Sequence, residues 1–490
     1  MKSRKPSTLE STLVTTSPTT KATHSDLVLA ICCCSLLLVG MDVTIVNVAL
    51  PAIQHNLHAQ LSGLQWIFDA YTLVVASFLM FSGSMSDRFG RRRCFMIGLT
   101  VFCLGSLLCS LSHTIGQLIF FRALQGLGAS MLNPVALSII ANVFPDPKAR
   151  ARAVGIWGAV AGISIALGPL IGGALTETIG WRSIFWINLP VGIVALALAY
   201  KFIPESKAPR ARRFDPIGQS LVFLGLASLT YAVIEGPHAH WSSPLIVALF
   251  ATSALALLAF VLYEPRRTDP LVDLRFFRSI PFASAAILGV LAFSCFAAFL
   301  FLNTLYLQQA RGLSAFTTGL CTLPLAIAMF LCSILSGRLV ATRGPRPSVL
   351  LAGVSFFAST LILTHLTPTT SLPILLLAYA LFGTGLGMIN PAISNSAIAG
   401  MPLSQTGVAA AIASTSRQVG AAMGVAVAGT VVSISRATGT DYTQATHPIW
   451  YAMTLSGVLI FAMGYLSTTP WSLSTTKKVA ALFPTAIPTR

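Results

Sequence analysis

The chain has 490 residues, of which 55% are hydrophobic and only 9% charged, against about 25% charged in a soluble globular chain. So few charges cannot cover a soluble surface of this length. A soluble enzyme, a fibrous protein and a disordered chain are excluded, and an integral membrane protein remains. The formal net charge of +17 sits in short polar gaps between apolar runs, so membrane topology accounts for it and nucleic acid does not.

Residues 1–26 are rich in Ser and Thr and carry Lys2, Arg4, Lys5 and Lys21. They read as a disordered cytoplasmic tail. They are not a cleaved signal peptide, because the apolar run that follows is too long and holds Asp42. Fourteen apolar runs then succeed one another: 27–53, 64–86, 94–112, 116–143, 151–176, 182–203, 216–234, 244–263, 281–305, 318–341, 348–366, 373–399, 408–434 and 449–469. A membrane-crossing helix needs roughly 17–25 such residues. The runs are too continuous for the alternation of a membrane barrel, so they are read as helices, here called spans 1 to 14.

With the N-terminus inside, 26 of the 31 Lys and Arg residues fall on the inner side. The outer loops hold only Arg182, Arg311 and Arg436, while Arg122 and Arg417 lie within spans. A miscounted helix would invert every later loop and spoil this bias. The even count, with both termini cytoplasmic in a multi-pass protein of the cell membrane, follows. The nine cysteines lie in or at the edge of apolar runs, without a CxxC pair. They read as small buried residues rather than disulfides or metal ligands, and no cofactor is expected.

The chain repeats itself. Arg122-Ala-Leu-Gln-Gly-Leu-Gly-Ala-Ser-Met-Leu-Asn-Pro134 matches Tyr379-Ala-Leu-Phe-Gly-Thr-Gly-Leu-Gly-Met-Ile-Asn-Pro391 at seven of thirteen positions, offset by 257. A weaker echo relates Gly83–Arg92 to Gly337–Arg346 at an offset of 254. Both map span n onto span n+8 in the same orientation. An all-α membrane fold of two parallel six-helix halves is predicted, with 27–203 the first and 281–469 the second. Residues 204–280 hold the inserted spans 7 and 8 with their linkers, and 470–490 are a cytoplasmic tail. Parallel halves are the plan of a large class of secondary transporters.

Ionisable groups deep in a span are costly and mark function by default. Asp42 lies about 16 Å below the outer end of span 1, at 1.5 Å per residue. Asp69 in span 2 and Arg122 in span 4 lie five and six residues below theirs. Burial makes a carboxylate hold its proton and a nearby arginine reverses this, so a change of neighbours can exchange a proton. Asp69 is close enough to the interface to be read also as a solvated end residue, and Arg122 as a structural clamp. Arg122 has Tyr379 as its repeat counterpart, which favours a role special to one half. Arg417, near the middle of span 13, is a further polar-site candidate. Glu177 and Glu235 are read as solvated.

Span 5 carries Gly158, Gly162, Gly168, Pro169, Gly172 and Gly173. Small residues allow close helix approach and proline permits a bend, as suits a helix between two rocking halves. In the loop between spans 2 and 3, Asp87 stands among Arg88, Arg91, Arg92 and Arg93, either a charged latch or a plain positive anchor.

These segments resemble the major facilitator superfamily, and more narrowly its fourteen-span drug:proton antiporters. Met41–Pro51 resembles that family's first-span motif, with Met41 where Leu is usual. Gly83–Arg93 resembles the loop signature, and Arg122–Ser130 the motif implicated in proton transfer. Ser164 through Gly173 resembles the antiporter motif, with Ser164 where Gly is common, and Ser416–Gly420 a recurrent span-13 segment. The resemblance covers residues 26–470 or so. It implies export of small organic compounds driven by proton influx. It implies that Asp42 and Asp69 bind protons or cationic substrate and that Arg122 assists. It implies that Gly168 and Pro169 shape the interface, and that Asp87 and Arg88 stabilise the outward-facing state.

The expected function is therefore proton-coupled export of lipophilic, cationic drugs or toxic metabolites by a monomer in the bilayer. A dedicated exporter of one metabolite is the alternative within transport. An enzyme or receptor is disfavoured: the loops are short and no GxxxxGK[ST] loop is present to bind ATP.

Overall fold

A computed structural model describes residues 19–207, 215–267, 270–399, 401, 406–437 and 441–482. Residues 1–18 of the expected N-terminal tail and 483–490 of the C-terminal one lie outside the described residues. Among them, fourteen helices are long and apolar enough to cross a membrane, from Ser25–Leu57 to Tyr442–Ser467, at the positions expected for the fourteen spans. An even number of crossings places both ends of the bundle on one side, here called the terminal side; the other is the far side.

The helix ends follow local chemistry. Lipid offers no partner to a free N–H, so the first turns are capped where the chain enters. Asp146 accepts from the Ala149 N–H at 2.8 Å and Asp215 from that of Gly218 at 3.0 Å, each followed by proline. Ser314 accepts from the Thr317 N–H at 3.2 Å. Pro324 lies just after a break in span 10, between Ala315–Cys321 and Leu323–Arg343, where it lacks a donor for the preceding turn. Within the expected C-terminal tail, Pro470–Ala480 is a helix capped by Thr469, and Thr475 Oγ1 accepts from the Ile280 N–H at 3.0 Å. Its cap and its proline at the first turn were both visible in the sequence.

Packing within the first half sets span 1 against spans 4, 5 and 6, span 4 against 2 and 3, and span 3 against 6. In the second half, span 9 packs against 12, 13 and 14, span 12 against 10 and 11, and span 11 against 14. Each contact is its counterpart shifted by eight. The halves meet where span 2 packs on span 13 and span 5 on span 10, two contacts that the repeat interchanges.

Span 7 lies over the first of these seams, with span 8 behind it. Trp66 of span 2 donates to Glu235 at 3.1 Å, Gln219 donates to the Ser77 carbonyl, and Thr430 of span 13 donates to the Val233 carbonyl at 2.7 Å. The inserted pair thus touches both halves.

The halves are closed together on the far side. Gln308 donates to the Val48 carbonyl and Gln309 to Gln54, both at 2.8 Å, and Glu177 accepts from the Phe316 N–H at 3.1 Å. Glu177 and Glu235, read from sequence as solvated ends, also join elements; Glu177 is exposed as expected and Glu235 is half-buried. Near the terminal side Gly83, Gly155, Gly158 and Gly337 have no neighbour where a side chain would begin, and Gly83 and Gly337 are repeat partners. The conformation is one closed on the far side.

Candidate functional site

Span 4 carries Arg122 and Gln125, three residues apart and therefore on one helix face. Asp42 of span 1 and Asn188 of span 6 lie opposite. All four side chains are buried. Arg122 Nη1 donates to Asp42 Oδ2 at 2.6 Å and to Gln125 Oε1 at 2.7 Å, and its Nε donates to the Ile67 carbonyl at 3.1 Å. The guanidinium lies 4.3 Å from the ring centre of Tyr71. Asp42 Oδ1 accepts from Gln125 Nε2 at 2.8 Å and from Asn188 Nδ2 at 3.3 Å. Asn188 also donates to Ser106 Oγ at 3.0 Å, and that hydroxyl donates to the Phe185 carbonyl at 2.9 Å.

Three donors thus converge on the Asp42 carboxyl group, and through it spans 4 and 6 are tied to span 1.

The other sequence candidates fall in separate places. Asp69 is fully buried, so its reading as a solvated end residue does not hold. Neither of its carboxylate oxygens has a hydrogen-bond partner among the described residues. It is not part of the Asp42 cluster. Arg417 is half-buried on span 13; its Nη2 donates to Ser414 Oγ at 2.7 Å and its guanidinium lies 5.8 Å from the ring centre of Phe293.

The four small or proline positions of span 5 divide by face. A Cβ at Gly168 would strike Thr44 and one at Gly172 would strike Ile45, both on span 1 of the same half. Gly173 lies against the Ala315 carbonyl and Phe316, and the Pro169 carbonyl lies against Gly319, both on span 10. Pro169 and Gly173 therefore face the other half, while Gly168 and Gly172 face their own. Replacing Gly173 by Val should push spans 5 and 10 apart, since overpacking costs about 1–3 kcal/mol and roughly 1.4 kcal/mol is tenfold in an equilibrium. Far-side labelling of a cysteine placed at Gln54 should rise about tenfold on that scale. Gly116→Val, where a Cβ meets open space, should leave labelling unchanged.

Asp87 accepts from Arg91 Nη2 at 3.3 Å, within its own half, and Arg88 is exposed beside Phe89. The loop is fastened instead by Glu205, which accepts from the backbone N–H groups of Arg92 and Arg93 at 3.2 and 3.3 Å at the start of span 3. Gly90 allows this approach: its φ is +115° and a side chain there would collide with the Glu205 carboxylate.

Residues 32–425 match the family model of the Major Facilitator Superfamily. The chain belongs to the Major Facilitator Superfamily. Among its relatives, the multidrug resistance protein Stp of Mycobacterium tuberculosis is 37% identical over 398 residues, 81% of this chain and 74% of that one. The methylenomycin A resistance protein of Bacillus subtilis is 34% identical, covering 83% of this chain and 88% of its own. The puromycin resistance protein pur8 of Streptomyces alboniger is 37% identical, covering 81% and 79%. Among solved structures, the human organic anion transporter MFSD10 (TETRAN) superposes with a TM-score of 0.62 over 89% of this chain and 99% of its own, at 18% identity. It shares the fold.

In this superfamily member the repeat also shows what the second half lacks. The offset of 257 takes Asp42, Arg122 and Gln125 to Phe299, Tyr379 and Phe382. Those three form an aromatic cluster: Phe299 stacks on Phe382 at 4.2 Å and meets Tyr379 edge-on at 5.0 Å. The same backbone position holds a charged network in one half and a packed apolar one in the other. Sequence reading missed Gln125, Asn188, Tyr71 and Glu205. Gln125 was within reach, since the aligned repeats set it against Phe382 three residues after the Arg122–Tyr379 pair. Asn188 carries no charge and belongs to no repeat, so only the fold reveals it.

Proposed function

We propose that this transporter expels lipophilic, cationic drugs or toxic metabolites in exchange for protons. It works by alternating access as a monomer in the cell membrane, with both termini in the cytoplasm. The observation that carries the reading is the sealed Asp42–Arg122 pair, with an aromatic cluster in its place in the twin half. An ionisable device retained in one half, at the cost of burying two charges, suits coupling rather than architecture. Relatives named for multidrug and antibiotic resistance support the cargo class. The terminal side carries most of the basic residues, which supports its cytoplasmic placement. Asp87 and Arg88 would then bridge the halves only when that side closes.

The second reading, export of a single compound, is favoured by the relatives named for one antibiotic each. Cells with and without the protein, challenged with structurally unrelated drugs with and without an uncoupler, decide among these. Protection against several compounds that vanishes with the uncoupler is expected. Protection against one compound selects the dedicated exporter, and protection that survives the uncoupler removes proton coupling.

A further inference from the structure

We propose that Asp69 and Arg417 form an ion pair across the seam between the halves when the far side opens. In the conformation described here that pair is broken. The proposal rests on the alternating-access reading above.

The two groups are complementary and unmatched. Asp69 is fully buried, and neither of its oxygens has a partner among the described residues. Arg417 bonds only the Ser414 hydroxyl among the described residues, and its Nη1 is buried without a partner. Of the charged groups on elements packed against span 2, Arg122 is held by Asp42 and Glu235 accepts from Trp66. Arg417 has no carboxylate partner among the described residues.

The register brings them within reach. Span 2 and span 13 run antiparallel. Gln65 donates to the Ala426 carbonyl at 2.8 Å, and two turns further Leu73 and Ala76 share one apolar cluster with Val419. Asp69 is one turn from Gln65, on the same face, and so stands near the level of Ala422. Arg417 is five residues beyond that level, about 7.5 Å along the axis at roughly 1.5 Å per residue, which is close to the length of an arginine side chain. Gln65 packs closely on Gly429 on the far side, where a side chain at 429 would not fit. Opening that side releases this contact and carries the terminal-side part of span 13, with Arg417, towards span 2. Leu226 and Val222 of span 7 belong to the cluster of Leu73, Ala76 and Val419, so the inserted helix shields the seam from lipid while the pair exchanges. An unpaired charge in lipid would be far more costly than one in a covered seam. This gives the inserted spans a purpose.

The test uses the full-length protein with its nine cysteines replaced by serine and shown to export. Into it go Asp69→Cys and Arg417→Cys together, and a short bifunctional thiol reagent is applied to membranes. Cross-linking should rise about tenfold when an imposed proton gradient and a transported drug shift the population. Cross-linking that is absent or unchanged in every condition overturns the pairing. If the double-cysteine protein does not insert, the cycle of Asp69→Asn, Arg417→Gln and both together decides. A pair makes the double variant no worse than either single, whereas losses that multiply mean the sites are independent and overturn it. State-dependent cross-linking alongside export that ignores the uncoupler would keep the pair and remove proton coupling.

Discussion

Asp42→Asn is expected to insert at normal levels and to lose uncoupler-sensitive export entirely, to the background of cells without the protein. Asparagine has nearly the volume of aspartate and keeps one acceptor oxygen for Arg122. It also places an NH₂ group where Gln125 Nε2 and Asn188 Nδ2 already donate, so one amide must turn. The guanidinium loses its counter-charge in a fully buried site, and breaking a buried pair costs about 3–5 kcal/mol. Lost stability alone could therefore lower export, and the double variant Asp42→Asn/Arg122→Gln separates the two causes. It removes both charges and with them the uncompensated ion, so thermal stability in detergent should recover to within about 1 kcal/mol of the parent on the general scale for matched polar replacements. Export should remain absent, because no group is left at that position to exchange a proton. Substrate-driven proton release from proteoliposomes is the direct readout. Full export by Asp42→Asn at normal abundance would take Asp42 out of the coupling step.

The sequence carried the fold almost whole because the signals that specify it are long and redundant. Fourteen apolar runs, the distribution of basic residues and two repeated segments all point one way, and each contact in one half reappears in the other eight spans on. The site was only partly readable. Asp42, Asp69 and Arg122 announced themselves as charges in lipid. That Asp42 and Arg122 pair while Asp69 stands apart depends on rotation about each helix, which no hydrophobic pattern in a span buried on most sides can fix. The same holds for span 5. Its glycines were visible as a group, but whether Gly168 meets Thr44 of its own half or Gly173 meets span 10 turns on a difference of five residues around one helix. The neutral partners carry no charge to mark them, because a single amide in a span is cheap enough to be commonplace; Gln125 could be found only through the repeat, and Asn188 only through the fold. Glu205 was hidden for a different reason: its partners are backbone N–H groups over a hundred residues away in sequence.

Arg122→Ala and Tyr379→Phe change equivalent positions of the repeat and should differ sharply. Tyr379 donates its hydroxyl to Asn303 Oδ1 at 2.6 Å within a cluster otherwise held by Phe299 and Phe382. Removing that hydroxyl forfeits one neutral hydrogen bond, worth about 0.5–1.5 kcal/mol, and leaves the ring packing unchanged, so export should stay within about twofold of the parent on that scale. Removing the Arg122 side chain strands Asp42, frees the Ile67 carbonyl and opens a gap beneath Tyr71. Export should fall to background. Arg122→Lys tests whether charge alone suffices. An ammonium keeps the charge but lacks the planar fork that reaches Asp42, Gln125 and the Ile67 carbonyl together, so it should insert like the parent and export at roughly a tenth of its rate or less, the loss that about 1.4 kcal/mol brings. Initial rates of efflux from preloaded cells, normalised to protein in the membrane, measure all three. Equal losses at Arg122 and Tyr379 would mean that both positions serve packing, and the asymmetry between the halves would then have no part in transport.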